Sequence, residues 1–195
     1  MTHQGEQPRG HPARRKEIVE AARGIAAESG WSAVTVRAIA ARIGCSAPAI
    51  YQYFRDKDAV LVALAAEGQA ALAVSLDAAV LHVHGPGKRL RAAVRALWDF
   101  AMQHRELYAV MFGLNGMAAY RRGGATPAAV LRIATELVMK RETGDDAVDL
   151  ADSIAATAHG FICLALSGGF PGGGDRAHVL LDEVVEDIVR GLGRR

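Results

Sequence analysis

Residues 35–57 constrain this chain more than any other stretch: Thr-Val-Arg-Ala-Ile-Ala-Ala-Arg-Ile-Gly-Cys-Ser-Ala-Pro-Ala-Ile-Tyr-Gln-Tyr-Phe-Arg-Asp-Lys. Val36, Ile39, Ala40 and Ile43 recur at three- and four-residue spacing, which predicts a short amphipathic helix. Gly44 is placed to end it, because glycine accepts the left-handed conformation that closes a helix. Ser46 is a natural N-cap for a second helix, and Pro48 suits a first turn, where a missing N–H costs nothing. In that second helix Ile50 and Phe54 are expected to turn inward. Ala47, Ala49, Tyr51, Gln52 and Tyr53 are left nearer the open side. The pattern is a helix-turn-helix whose second helix is short enough to enter a DNA major groove.

The rest of the chain reads as helices. Residues 1–13 lack apolar periodicity and hold Gly5, Pro8, Gly10 and Pro12, so they are expected to be disordered. Arg9, Arg14, Arg15 and Lys16 then form a basic arm, read either as a minor-groove contact or as a solvated terminus. A first helix is expected over Arg14–Ser29, with Ile18, Val19, Ala22, Ile25 and Ala26 inward and Trp31 plugging the corner after Gly30. Asp56 or Asp58 is expected to cap a long helix reaching about Leu81. Beyond the His82–Gly87 linker, helices are expected over Lys88–His104, Pro127–Glu142, Asp145–Leu166 and Ala177–Leu192. Between them lie an apolar segment, Leu107–Leu114, and loops at Arg121–Ala125 and Gly168–Gly174. Asp145–Leu166 is apolar on nearly every side, which implies burial by its own chain on one face and by a partner on another. No strand-like alternation rises above noise, so the expected fold is all-α.

Charge divides the chain. Residues 1–57 hold 9 Lys/Arg against 5 Asp/Glu, whereas residues 58–195 hold 14 against 16. A positive N-terminal module on a mildly acidic body suits a DNA reader fused to a part that does not touch DNA. With 51% apolar residues, the chain can build a core without disulfides or metal. Cys45 and Cys163 fall in different modules and lack metal-ligand spacing, so both are expected as reduced thiols. His82-Val83-His84 has no carboxylate or cysteine at ligand spacing and reads as a solvated bend. No metal and no cofactor are expected. Met1–Lys16 does not read as a signal peptide, no apolar stretch reads as long enough to span a bilayer, and a soluble cytoplasmic protein is expected. No nucleophile–base–carboxylate set is visible, so an enzyme is not expected.

The first sixty residues resemble the DNA-binding domain of TetR-family transcriptional regulators. The resemblance is carried by the leading amphipathic helix, Trp31, Thr35-Val-Arg-Ala-Ile-Ala, Gly44-Cys-Ser and Tyr51-Gln-Tyr-Phe-Arg-Asp-Lys-Asp. Further on, Ala158-His-Gly-Phe-Ile-Cys-Leu-Ala-Leu resembles a segment of one C-terminal subgroup of that family. The resemblance implies a DNA-binding module over 14–57 and an effector-binding, dimerising module over 58–195. It assigns Thr35 and Arg37 to phosphates or the groove edge, Ser46 and Tyr51 to phosphates, and Lys57 to the DNA backbone. Ala47, Pro48, Ala49, Gln52 and Tyr53 occupy or flank the base-reading positions, and Arg14 belongs to the arm. The family more often has a basic residue where Ala47 stands and glycine near Pro48. A bidentate contact to guanine from position 47 is therefore unavailable here.

In the second module Trp98, Phe100, Met102, Tyr108, Met111, Phe112, Met117 and Tyr120 concentrate large, adaptable side chains. Such a set is either plain core or, in a regulator, the lining of a pocket for a small apolar or amphipathic effector. His159 is a ligand anchor, an interface bond or a partner for a backbone carbonyl. The implied protein is a ligand-responsive repressor that binds a palindromic operator in double-stranded DNA as a homodimer, paired through its last two helices. The alternative is a helical small-molecule-binding or adaptor protein with a degenerate DNA module.

Overall fold

The computed structural model describes residues 11–114 and 144–194. Among these the chain is helical and holds no strand: α1 (His11–Ser29), a 3-10 turn (Trp31–Ala33), α2 (Val36–Arg42), α3 (Ala47–Tyr51), α4 (Lys57–Val80), α5 (Pro86–Gln103), α6 (Arg105–Met111), α7 (Gly144–Leu166) and α8 (Gly173–Arg194). The backbone divides into two compact units. Among the described residues, the first holds 11–68 and 109–114, and the second holds 69–108 and 144–194.

The first unit is built as its apolar spacing dictates. Ile18, Val19, Ala22, Ile25 and Ala26 form the buried stripe of α1, and Trp31 seals its end at 6% exposure. Thr35 caps α2: its extended backbone turns the side chain back so that Oγ1 accepts from Ala38 N at 3.0 Å. Removing that cap by Thr35→Ala is expected to cost about 1 kcal/mol, seen as a lower urea midpoint with unchanged m. Gly44, at φ 66°, lets the chain leave α2 while Cys45 N donates to Ala40 O at 2.9 Å. Asp56, not Asp58, caps α4, its Oδ1 accepting from Ala59 N at 2.7 Å.

In the second unit α5 packs on α7 and α8, and α7 packs on α8. Leu90, Ala93, Val94 and Leu97 of α5 are buried, as are Ala151, Ile154, Ala158 and Ile162 of α7 and Ala177, Leu181 and Val185 of α8. Arg95 bridges to Asp182 at 2.7 Å, and Arg91 pairs with Glu186. At the start of α5 the approach of α8 requires a glycine, since a Cβ on Gly87 would lie 2.6 Å from Val189 Cγ1.

Several expectations are corrected. α1 begins at His11, so residues 11–13 are helical rather than part of a disordered arm. α5 begins two residues before Lys88, because Pro86 fits a first helical turn. Residues within 107–114 belong to α6, which ends before Gly113 at φ 64°. α8 begins at Gly173 and takes in the end of the expected glycine-rich loop. Among the described residues two helices also reach the length and apolarity of a membrane span, Lys57–Val80 at mean hydropathy 1.8 and Val148–Leu166 at 1.3. Alanines raise both values: in α4 the leucines at 61, 64, 72 and 76 face inward while Ala66, Ala70 and Ala73 lie outside with Glu67 and Gln69. The expected Arg121–Ala125 loop, the Pro127–Glu142 helix and residues 1–10 of the arm lie outside the described residues.

Candidate nucleic-acid interface

Five residues cannot hold a helix alone, so α3 depends on what anchors it. Ile50 and Phe54 bury themselves at 1% and 3% exposure, and the residues between and before them are left facing outward. Ser46, Pro48, Tyr51 and Gln52 are exposed, and Ala47, Ala49 and Tyr53 are half-buried. Ser46 occupies the N-cap position, yet its side chain makes no cap hydrogen bond. Gln52 is the C-cap residue, so it sits at the end of α3, and Tyr53 lies one residue beyond. Thr35 and Arg37, on the first turn of α2, are exposed too.

The remaining expected DNA contacts are already engaged within the unit. Lys57 donates from Nζ to Trp31 O at 3.2 Å, tying the start of α4 to the 3-10 turn. Arg14 pairs with Glu17 at 2.6 Å, which raises the guanidinium pKa, and it lies beside Cys45 in the turn before α3. Arg15 turns inward: Nη1 donates to Tyr53 O at 2.5 Å and the guanidinium sits over the Phe54 ring, 4.0 Å from its centroid. Lys16 lies 3.7 Å from Glu20. Arg14, Arg15 and Lys16 therefore stand on a helix with internal partners rather than on a free arm. Sequence reasoning overlooked Arg55, whose side chain is 85% exposed beside Asp56. Its position directly after Phe54 was the available cue.

The second unit gathers part of the expected ligand set. Tyr108 is fully buried, and its hydroxyl lies 2.9 Å from His159 Nδ1. Cys163, one turn along α7, places Sγ 3.2 Å from His159 Nε2. Burial lowers the His159 pKa and raises that of the Cys163 thiol. Trp98 is instead stacked on His178 of α8, ring centroids 5.0 Å apart and planes 7° from parallel. Phe100 is tilted against His104 at 4.8 Å. Met102 is half-buried. Met111 and Phe112 fall in the first unit, Met111 buried at 1% exposure and Phe112 half-buried. Met117 and Tyr120 lie outside the described residues.

The sign of the His159 effect is fixed by its surroundings. The unfolded chain takes up a proton near pH 6.5, whereas the folded imidazole resists it. Above that pH both forms are neutral and nothing is gained or lost. Below it the unfolded state binds more protons, so the stability of the second unit is expected to fall as pH drops through about 6.5. Thermal melts of wild type and His159→Asn between neutral and mildly acid pH check this, the variant showing the shallower dependence.

Comparison with known proteins gives matches over most of the chain. The family model described as bacterial regulatory proteins, tetR family, matches residues 18–64. A second, described as the tetracyclin repressor-like C-terminal domain, matches residues 90–188. The HTH-type transcriptional repressor Rv1474c of Mycobacterium tuberculosis is 49% identical over 55 residues, which span 28% of this chain and 29% of the repressor. A structure from Rhodococcus sp. RHA1, described as a protein with unknown function, is 30% identical with a TM-score of 0.69, covering 97% of this chain and 98% of that one. A TetR variant from Acinetobacter baumannii AYE, solved in complex with minocycline, shares the fold at 17% identity and a TM-score of 0.68, covering 91% of this chain and 94% of that one.

Proposed function

The chain belongs to the TetR family of bacterial regulatory proteins, and we propose that it is a homodimeric transcriptional repressor that releases its operator when a small molecule binds the second unit. The observation that carries this reading is the outward face of α2 and α3. A five-residue helix is anchored by Ile50 and Phe54 while Ser46, Pro48, Tyr51 and Gln52 stay exposed. Thr35 Oγ1 uses a lone pair in capping α2 and keeps its O–H to donate to a phosphate. Ser46, with no capping bond to satisfy, and Tyr51 offer two more hydroxyls, while Arg37 and Arg55 supply charge. Ala47 and Ala49 suit contact with thymine methyls, and Gln52 suits an adenine edge.

One such helix reads too few base pairs for specificity, and two on a dimer axis read a palindrome. The exposed Val148 and Leu164 of α7 and Val179 of α8 support pairing through the last two helices. A 55-residue match to a repressor supports the sense of regulation, and the minocycline complex of a TetR of the same fold supports an effector site in the second unit. Tyr108 and His159 then hold a polar anchor inside an otherwise apolar setting for a small apolar or amphipathic effector. Operator DNA places the protein in the cytoplasm. Footprinting of purified protein on the DNA flanking its own gene tests the reading. The expected result is a protected palindrome with half-sites about one helical turn apart. Folded protein that protects nothing at low salt would favour a ligand-binding or adaptor role.

A further inference from the structure

A recognition helix of five residues has only one turn's worth of backbone bonding, so its aim is set by whatever grips its two ends. Its N-terminal end follows from Gly44 and the bond from Cys45 N to Ala40 O. The grip at its C-terminal end comes from α1. Arg15, 38 residues away in sequence, sends Nη1 to the carbonyl of Tyr53 at 2.5 Å. The same guanidinium sits over the buried Phe54 ring, its Cζ 4.0 Å from the centroid. Two different interactions from one planar group thus fix two successive residues, at the point where the chain leaves α3. Only arginine supplies both, because its fork keeps donating in plane while its face stacks on an aromatic ring.

We propose that Arg15 is a positioning residue for DNA reading: it sets the angle of α3 through Tyr53 and Phe54 and makes no DNA contact of its own. The inference rests on operator binding and adds to it a side chain whose guanidinium is engaged within the domain. A consequence separates Arg15 from its neighbours. A basic residue that neutralises a phosphate contributes about −0.9 to the slope of log affinity against log salt. Arg15 touches no phosphate, so Arg15→Lys, which keeps the charge, lowers affinity by the same factor at every salt concentration.

The test uses the full-length protein and its operator fragment with Arg15→Lys, Arg15→Met and Arg37→Gln. Arg15→Lys is expected to weaken binding about tenfold, the scale of one charge-assisted hydrogen bond, with the salt slope unchanged. Arg37→Gln is the control that lowers the slope by about 0.9. A slope that drops by about 0.9 with Arg15→Met, as with Arg37→Gln, or an Arg15→Lys affinity within twofold of wild type, would overturn the proposal. Hydrogen exchange on the free protein reads the clamp without DNA. The amides of Tyr53 and Phe54 are expected to exchange faster in Arg15→Met while those of Ile18 to Ile25 stay protected. Unchanged exchange at 53–54 would also overturn it. If wild type binds no DNA, the regulatory reading fails, and the exchange result still decides whether the clamp exists.

Discussion

Replacing Phe54 with alanine is expected to destabilise the first unit by about 3–5 kcal/mol, the range for truncating a buried phenylalanine. The ring is 3% exposed, and with Ile50 it is one of the two buried side chains that anchor a helix too short to stand alone. Its loss opens a cavity beneath α3 and removes the surface on which the Arg15 guanidinium rests. A small domain has about 5–15 kcal/mol in hand, so the change leaves much of the protein without an ordered recognition helix. Urea unfolding followed by circular dichroism measures the loss. Phe54→Leu, which keeps most of the volume, is expected to lose less than half as much. Equal stability of wild type and Phe54→Ala would mean that α3 is held by something other than this anchor.

Tyr108→Ala is expected to have a comparable effect on the second unit, again about 3–5 kcal/mol, for a related reason. The side chain is fully buried, and its hydroxyl faces His159 Nδ1 at 2.9 Å. Alanine removes both the packing and the polar partner, and His159 is left in a half-buried apolar setting that already lowers its pKa. Tyr108→Phe separates the two effects by deleting only the hydroxyl, at a cost of about 1 kcal/mol. A Tyr108→Phe protein as unstable as Tyr108→Ala would place the weight on the hydrogen bond rather than on packing. Effector affinity is expected to drop for Tyr108→Phe, which removes one half of the proposed polar anchor.

What the sequence made legible was local. Gly44, Ser46, Pro48 and Asp56 announce the turn and the helix starts because each acts within three or four residues of itself. Ile50 and Phe54 could be assigned inward from spacing alone. Arg15 could not, since its partners are 38 and 39 residues away and nothing in a run of three basic residues says which of them turns in. Lys57 is similar: its bond to Trp31 O spans 26 residues, so a reading from the motif sends it toward DNA. In the second unit the aromatic and methionine cluster was visible as composition but not as geometry. Trp98 lies on the buried face of α5 like Val94 and Ala101, and only the packing of α8 reveals that it stacks on His178.

If the exposed face of α3 docks on operator DNA, Tyr51 must feel it first, because that residue is 56% exposed. Tyr51→Ala is expected to leave stability within about 0.5 kcal/mol of wild type, as surface substitutions do. The measurement is the affinity of wild type and Tyr51→Ala for the protected fragment across a series of salt concentrations. Wild-type binding is expected to depend on salt, and the variant to lose about tenfold or more, the worth of a hydrogen bond to a charged phosphate. Binding by a folded Tyr51→Ala protein that matches wild type at every salt concentration would contradict it, because the face through which α3 is argued to read DNA would then be silent.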